Sequence, residues 1–129
     1  MKHFTLDELT RSATARRLGI DNTPTRQATA NLKQLVANIL DPLREAYGAP
    51  IYVNSGYRCP ALNRAVGGSA SSQHLTGEAA DITAGSKAGN RRLYELLRNL
   101  PVDQAINEHN FAWLHVSYGP RHRRSFFAL

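Results

Sequence analysis

Apolar residues recur along this chain with two different periods, and the change from one to the other divides it. In the first half Leu32, Leu35, Val36, Ile39, Leu43 and Tyr47 return every three or four positions, the spacing of one buried helical face. The spacing predicts a long amphipathic helix over roughly 26–47, with Gly48 as its stop. Pro42 should kink or split that helix, because proline lacks an N–H and biases Asp41 out of the helical region. Nearer the start, Thr5-Leu-Asp-Glu8 has the form of a capping box, in which threonine and glutamate satisfy the first free N–H groups. A helix of about three turns should follow it and end near Gly19.

Beyond Pro50 the period shortens to two. Residues 51–55, 79–84, 103–108 and 112–118 read as strands, 60–66 as one or two helical turns, and 87–99 as a helix. Gly67-Gly68-Ser-Ala-Ser-Ser72 is a flexible loop between them. Helices first and short strands later argue for an α+β fold, a small mostly antiparallel sheet flanked by helices, in a single domain over 1–129. Alternation also assigns faces. Leu114 and Val116 should pack on helices while Trp113, His115 and Ser117 line a cleft, and Ala79, Asp81 and Thr83 lie opposite Ala80 and Ile82.

Composition narrows the partners. The net charge is +6, with 16 basic residues of which 13 are arginine, a balance that favours polyanionic surfaces. The basic residues are scattered apart from Arg91-Arg92 and Arg121-His-Arg-Arg124. No RNA-binding aromatic signature accompanies them, so a nucleic-acid partner would rest on charge alone and is not expected. No apolar run approaches the roughly 20 residues that span a bilayer. The first residues lack the apolar stretch of a secretory signal, so cytoplasmic synthesis, no membrane insertion and a monomer are expected. Cys59 is the only cysteine and has no internal disulfide partner.

Three residues carry chemistry. His74 and Asp81 flank Gly77, which lets the chain turn so that both converge, and His115 lies on the proposed cleft face. Two imidazoles and a carboxylate form the ligand set of a hydrolytic zinc centre that leaves one position open for water. One zinc ion per chain is therefore expected.

The pattern Ser72-x-His74-x-x-Gly77-x-Ala79-x-Asp81, followed by Trp113-x-His115-x-Ser117, resembles the zinc D-alanyl-D-alanine carboxypeptidases. L-alanyl-D-glutamate endopeptidases and the Hedgehog signalling domain share that metal-binding fold. Asn54-Ser-Gly-Tyr-Arg58, Asp103-Gln104-Ala-Ile106, Phe4-Thr-Leu-Asp-Glu-Leu9 and Leu40-Asp-Pro-Leu-Arg44 extend the likeness along nearly the whole chain, towards the short branch often encoded by phages. The resemblance implies a peptidase acting on the stem peptides of peptidoglycan in the cell wall, reached after phage-mediated release or from the virion. His74, Asp81 and His115 match its zinc ligands, Arg58 its carbonyl- and charge-holding arginine, and Ser72 a position that hydrogen-bonds substrate backbone.

The chain departs from that pattern at the general base. The family places Glu or Asp three residues before the last histidine, where this chain has Ala112. Glu108 is the nearest carboxylate and is assigned as the base; His109 is a weaker candidate, and Glu78 is expected to face solvent. Without a base the same site would make a zinc-stabilised wall-binding module.

Overall fold

The computed structural model describes residues 1–129. Its first helical stretch is two helices, α1 (Leu6–Thr10) and α2 (Ala13–Leu18), where one was expected. The capping box forms as read: Thr5 accepts from the Glu8 N–H and the Glu8 carboxylate accepts from the Thr5 N–H. Arg11 then turns extended, and Ser12 restarts the helix by accepting the Ala15 N–H at 3.1 Å. A second capping hydroxyl so close to the first outcompetes helix continuation. Gly19 ends α2 in the left-handed conformation, φ 67°.

The long amphipathic segment is continuous. It runs through α3 (Arg26–Leu35), a wider π turn (Val36–Leu40) and α4 (Asp41–Tyr47). Pro42 neither splits it nor drives Asp41 out of the helical region, since Asp41 keeps φ −64° and ψ −49°. The Asp41 N–H reaches back five residues to the Val36 carbonyl, so the extra residue in the turn absorbs the proline ring. Asp41 itself accepts the N–H groups of Lys2 and His3 at 2.8 and 3.0 Å, tying down the start of the chain.

Strands β1 (Tyr52–Ser55), β2 (Ala79–Thr83), β3 (Gln104–Glu108) and β4 (Trp113–Ser117) follow the alternating segments closely. A fifth, β5 (Ser125–Ala128), was not anticipated, because two aromatic residues in a basic tail carry little alternation. The sheet order is β1-β2-β4-β3-β5; every pairing is antiparallel except β3 with β5. Between the strands lie α5 (Pro60–Ala65), a 3₁₀ turn (Gln73–Thr76) and α6 (Lys87–Leu97).

One face of the sheet is the core. Ala80, Ile82, Ala105, Leu114 and Val116 join Leu32, Leu35, Val36, Ile39, Leu40, Leu43, Leu93 and Leu97 in a single apolar cluster. Burial of so many large side chains, at about 1.5–3 kcal/mol each, holds the helices on that face. The opposite face is left free for chemistry. No helix is long and apolar enough to cross a membrane.

Candidate metal centre

Register brings the site together. In the β2–β4 pairing Asp81 lies opposite His115, so the two side chains leave the sheet on the same face. At Asn54 the β1–β2 register slips: Val53 faces Ile82 and Ser55 already faces Asp81. This bulge sets Ser55 beside the site and aims the following turn, with Arg58, towards Asp81.

His74 arrives from outside the sheet. Ser72 caps the 3₁₀ turn by accepting the His74 N–H at 3.2 Å, and Gly77 closes it with φ 77°. A Cβ at Gly77 would come within 2.5 Å of the Ala28 carbonyl oxygen, so the turn packs tightly on α3. The imidazole is buried, and its Nδ1 lies 2.7 Å from the carbonyl oxygen of Gly56. That carbonyl only accepts, so Nδ1 carries the proton and Nε2 presents its lone pair.

Nε2 faces Asp81 Oδ1 at 3.3 Å, and His115 Nδ1 faces the same oxygen at 3.1 Å. A lone pair and a carboxylate oxygen pointed at each other repel unless a proton or a cation lies between them. A zinc ion held at about 2.0–2.1 Å from each ligand in tetrahedral geometry has ligand edges near 3.3 Å. One ligand atom from each of the three residues lies within 4.8 Å of the other two. The donor set, the oriented imidazole and the spacing all fit one metal ion. His74, Asp81 and His115 thus form a cluster capable of holding it.

The surroundings tune these groups. Burial pushes the Asp81 carboxyl upward, but the imidazoles of His115 and His74 beside it outweigh burial, favour the ionised form and hold it well below the usual carboxylate range. Arg58 Nη2 stands 3.6 Å from Asp81 Oδ2. Burial lowers the pKa of that guanidinium and the Asp81 charge acts the other way. Two further donors, Nε and Nη1, are held by Ser55 Oγ at 3.1 Å and Asn63 Oδ1 at 3.2 Å, which leaves N–H groups free to meet a ligand. The backbone beside it is held by Asn22, which accepts the Cys59 N–H and donates to the Tyr57 carbonyl. The sequence marks Asn22 only as part of a turn before a helix; nothing local reveals a brace whose partner lies 37 positions away.

A cleft of about 770 Å³ opens over the cluster, lined by Arg58, Ser72, His74, Asp81, Glu108 and His115 among others. Glu108 sits opposite Trp113, one cross-strand step beyond the Ile106–His115 pair. Diagonal neighbours of that kind lie about 7–8 Å apart, within reach of a long side chain. Ala112, in the β3–β4 loop, offers no proton acceptor. His109 packs against Trp113 with its ring tilted by 39° and the centroids 4.8 Å apart, and does not line the cleft. Glu78 does not simply face solvent: it is half-buried, accepts the Thr76 hydroxyl, and lies against Gly119.

The C-terminal basic cluster is not one patch. Arg123 makes a two-pronged pair with the buried Asp103, at 2.9 and 2.8 Å, and its backbone N–H adds a third bond at 2.9 Å. Asp103 also accepts from Gln73, next to His74, at 2.8 Å. Arg124 instead donates to the Leu100 and Arg98 carbonyls, while Arg121 reaches the cleft.

The fold and the His/Asp/His cluster define a metallopeptidase-like architecture. The chain belongs to the Peptidase M15 family, whose sequence model matches residues 2–117. The zinc D-Ala-D-Ala carboxypeptidase of Streptomyces albus G is 45% identical over 62 residues, which cover 46% of this chain and 24% of that protein. The matched part thus spans about a quarter of that relative's length.

Proposed function

We propose that this protein is a zinc-dependent peptidase that hydrolyses peptide bonds in the stem peptides of peptidoglycan. The observation that carries the reading is the His74 Nε2 lone pair, held against the Asp81 carboxylate beside His115 and Arg58 in an open cleft. Family membership and the partial likeness to a zinc D-Ala-D-Ala carboxypeptidase support the substrate class.

Zinc, when bound by His74, Asp81 and His115, supplies Lewis acidity that polarises a carbonyl and makes water a nucleophile near neutral pH. The other roles belong to side chains of this chain. Arg58, preset by Ser55 and Asn63, holds the substrate carbonyl oxygen as negative charge grows on it. Glu108 takes the proton from the attacking water on its carboxylate and passes it to the leaving amine nitrogen. The Ser72 hydroxyl oxygen accepts the His74 N–H, which leaves its own O–H free to donate to substrate backbone.

Mass spectrometry of products from a defined stem peptide, incubated with zinc-loaded protein, tests the reading directly. Cleavage is expected, and Glu108→Gln should keep its metal while turnover falls about 10²–10⁴-fold. Ala112 favours a second reading, a zinc-stabilised wall-binding module without turnover. Metal-loaded protein that binds wall fragments and leaves them intact would establish it and sink the first.

A further inference from the structure

The cleft does not end at Arg58. A second basin of about 520 Å³ shares Arg58 and Val66 with it and continues along the edge of the sheet. Its walls come from the α1–α2 break and α2 (Arg11, Ser12, Thr14, Arg16) and from the bulged strand β1 (Asn54, Ser55). We propose that this basin is a second substrate subsite, which takes a carboxylate-bearing stretch of the peptide whose bond is cut at the metal centre. The proposal rests on the peptidase reading and deepens it by naming where the chain runs and what chemistry it must carry there.

Charge is the first argument. No carboxylate lines the basin, whereas three arginines do. Arg58 is partly neutralised by Asp81, and Arg11 is shared with the exposed Asp7 at 3.6 Å. Arg16 forms no ion pair. Guanidinium groups over a groove with hydroxyl and amide walls suit a carboxylate, which accepts paired N–H donors.

The second argument is the order of parts across the sheet. Glu108 stands on β3, His115 on β4, Asp81 on β2, and the basin lies beside β1, the outermost strand on that side. An extended peptide running across the strands would pass the base, then the metal ligands, then Arg58, and enter the basin. A substrate filling both basins has residues on either side of the metal, so cleavage falls within a chain and not only at its end.

The experiment compares two defined stem peptides, one with a free side carboxylate and one with that carboxylate amidated, on zinc-loaded protein. Arg16→Glu should cut the preference in kcat/KM for the acidic peptide about tenfold, and Thr14→Trp, which fills the basin, should raise KM for both peptides. The same pair of labelled peptides, titrated onto zinc-loaded Glu108→Gln protein with and without Arg16→Glu, reads binding without turnover. Loss of the acid-over-amide difference on adding Arg16→Glu supports the subsite. An unchanged difference overturns it, even where the peptide is cleaved. A difference lost in binding with no cleavage by wild-type protein would instead sink the peptidase reading and leave the basin standing only as a site that binds an acidic peptide.

Discussion

His74 shows how one residue is made into a ligand. An imidazole in water exchanges tautomers freely, but the Gly56 carbonyl binds Nδ1–H and leaves only Nε2 to face the cleft. Gly56 is required for that contact, because a Cβ there would stand 2.1 Å from the Leu9 carbonyl oxygen. Metal analysis of protein purified without chelator should find about one zinc per chain, and His74→Ala or Asp81→Ala should abolish it. A variant that keeps its zinc would show that the ion is held elsewhere.

At the scale of elements, the β3–β4 hairpin carries His115 and Glu108 and needs an external brace. Its loop puts His109, Asn110 and Phe111 in succession at positive φ, between 49° and 63°, a conformation that bulky residues avoid. Asn90 of α6 supplies the brace, and it is almost wholly buried. Its amide donates to the Phe111 and Ala112 carbonyls at 2.9 and 3.2 Å and its oxygen accepts the Ala84 N–H at 2.7 Å. Asn107 accepts the Phe111 N–H as well. Asn90→Ala should lower stability by about 2–3 kcal/mol, since buried backbone groups lose their partners. Urea unfolding with an unchanged slope and a lower midpoint would register it.

For the whole molecule, two couplings should be measurable. A metal held by His74, Asp81 and His115 would bind only the assembled site, so chelation should lower Tm, and added zinc should restore it in a concentration-dependent way. Asp103 ties the tail to the sheet and to the turn that bears His74. The Arg123 hydrogen bond holds its carboxyl well below the usual range, against the opposing effect of burial. A carboxylate with a depressed folded-state pKa adds stability above its unfolded pKa and loses it as pH falls below. Wild-type stability should therefore drop as pH falls through the ordinary carboxylate range and on towards the lowered value. Asp103→Asn should be less stable at neutral pH and show a flatter acid limb, and thermal scans against pH would read both.

What the sequence determined is what repeats or stands adjacent: the helical stripe of 32–47, the alternation of β2 and β4, the capping box at Thr5, and the motif residues around His74 and His115. Alternation set Asp81 opposite Ile82 and His115 opposite Leu114 and Val116 within their own strands, and the β2–β4 register then put both on one sheet face. Other features arose only from packing. β5 in the basic tail and the Asn22, Asn90 and Asp103 braces all depend on partners distant in the chain. Local propensity cannot see such a partner, since its energy exists only once the backbone has brought the two ends together. Tertiary structure likewise settled that His74 offers Nε2, because a lone pair takes its direction from whichever carbonyl the fold sets behind the ring.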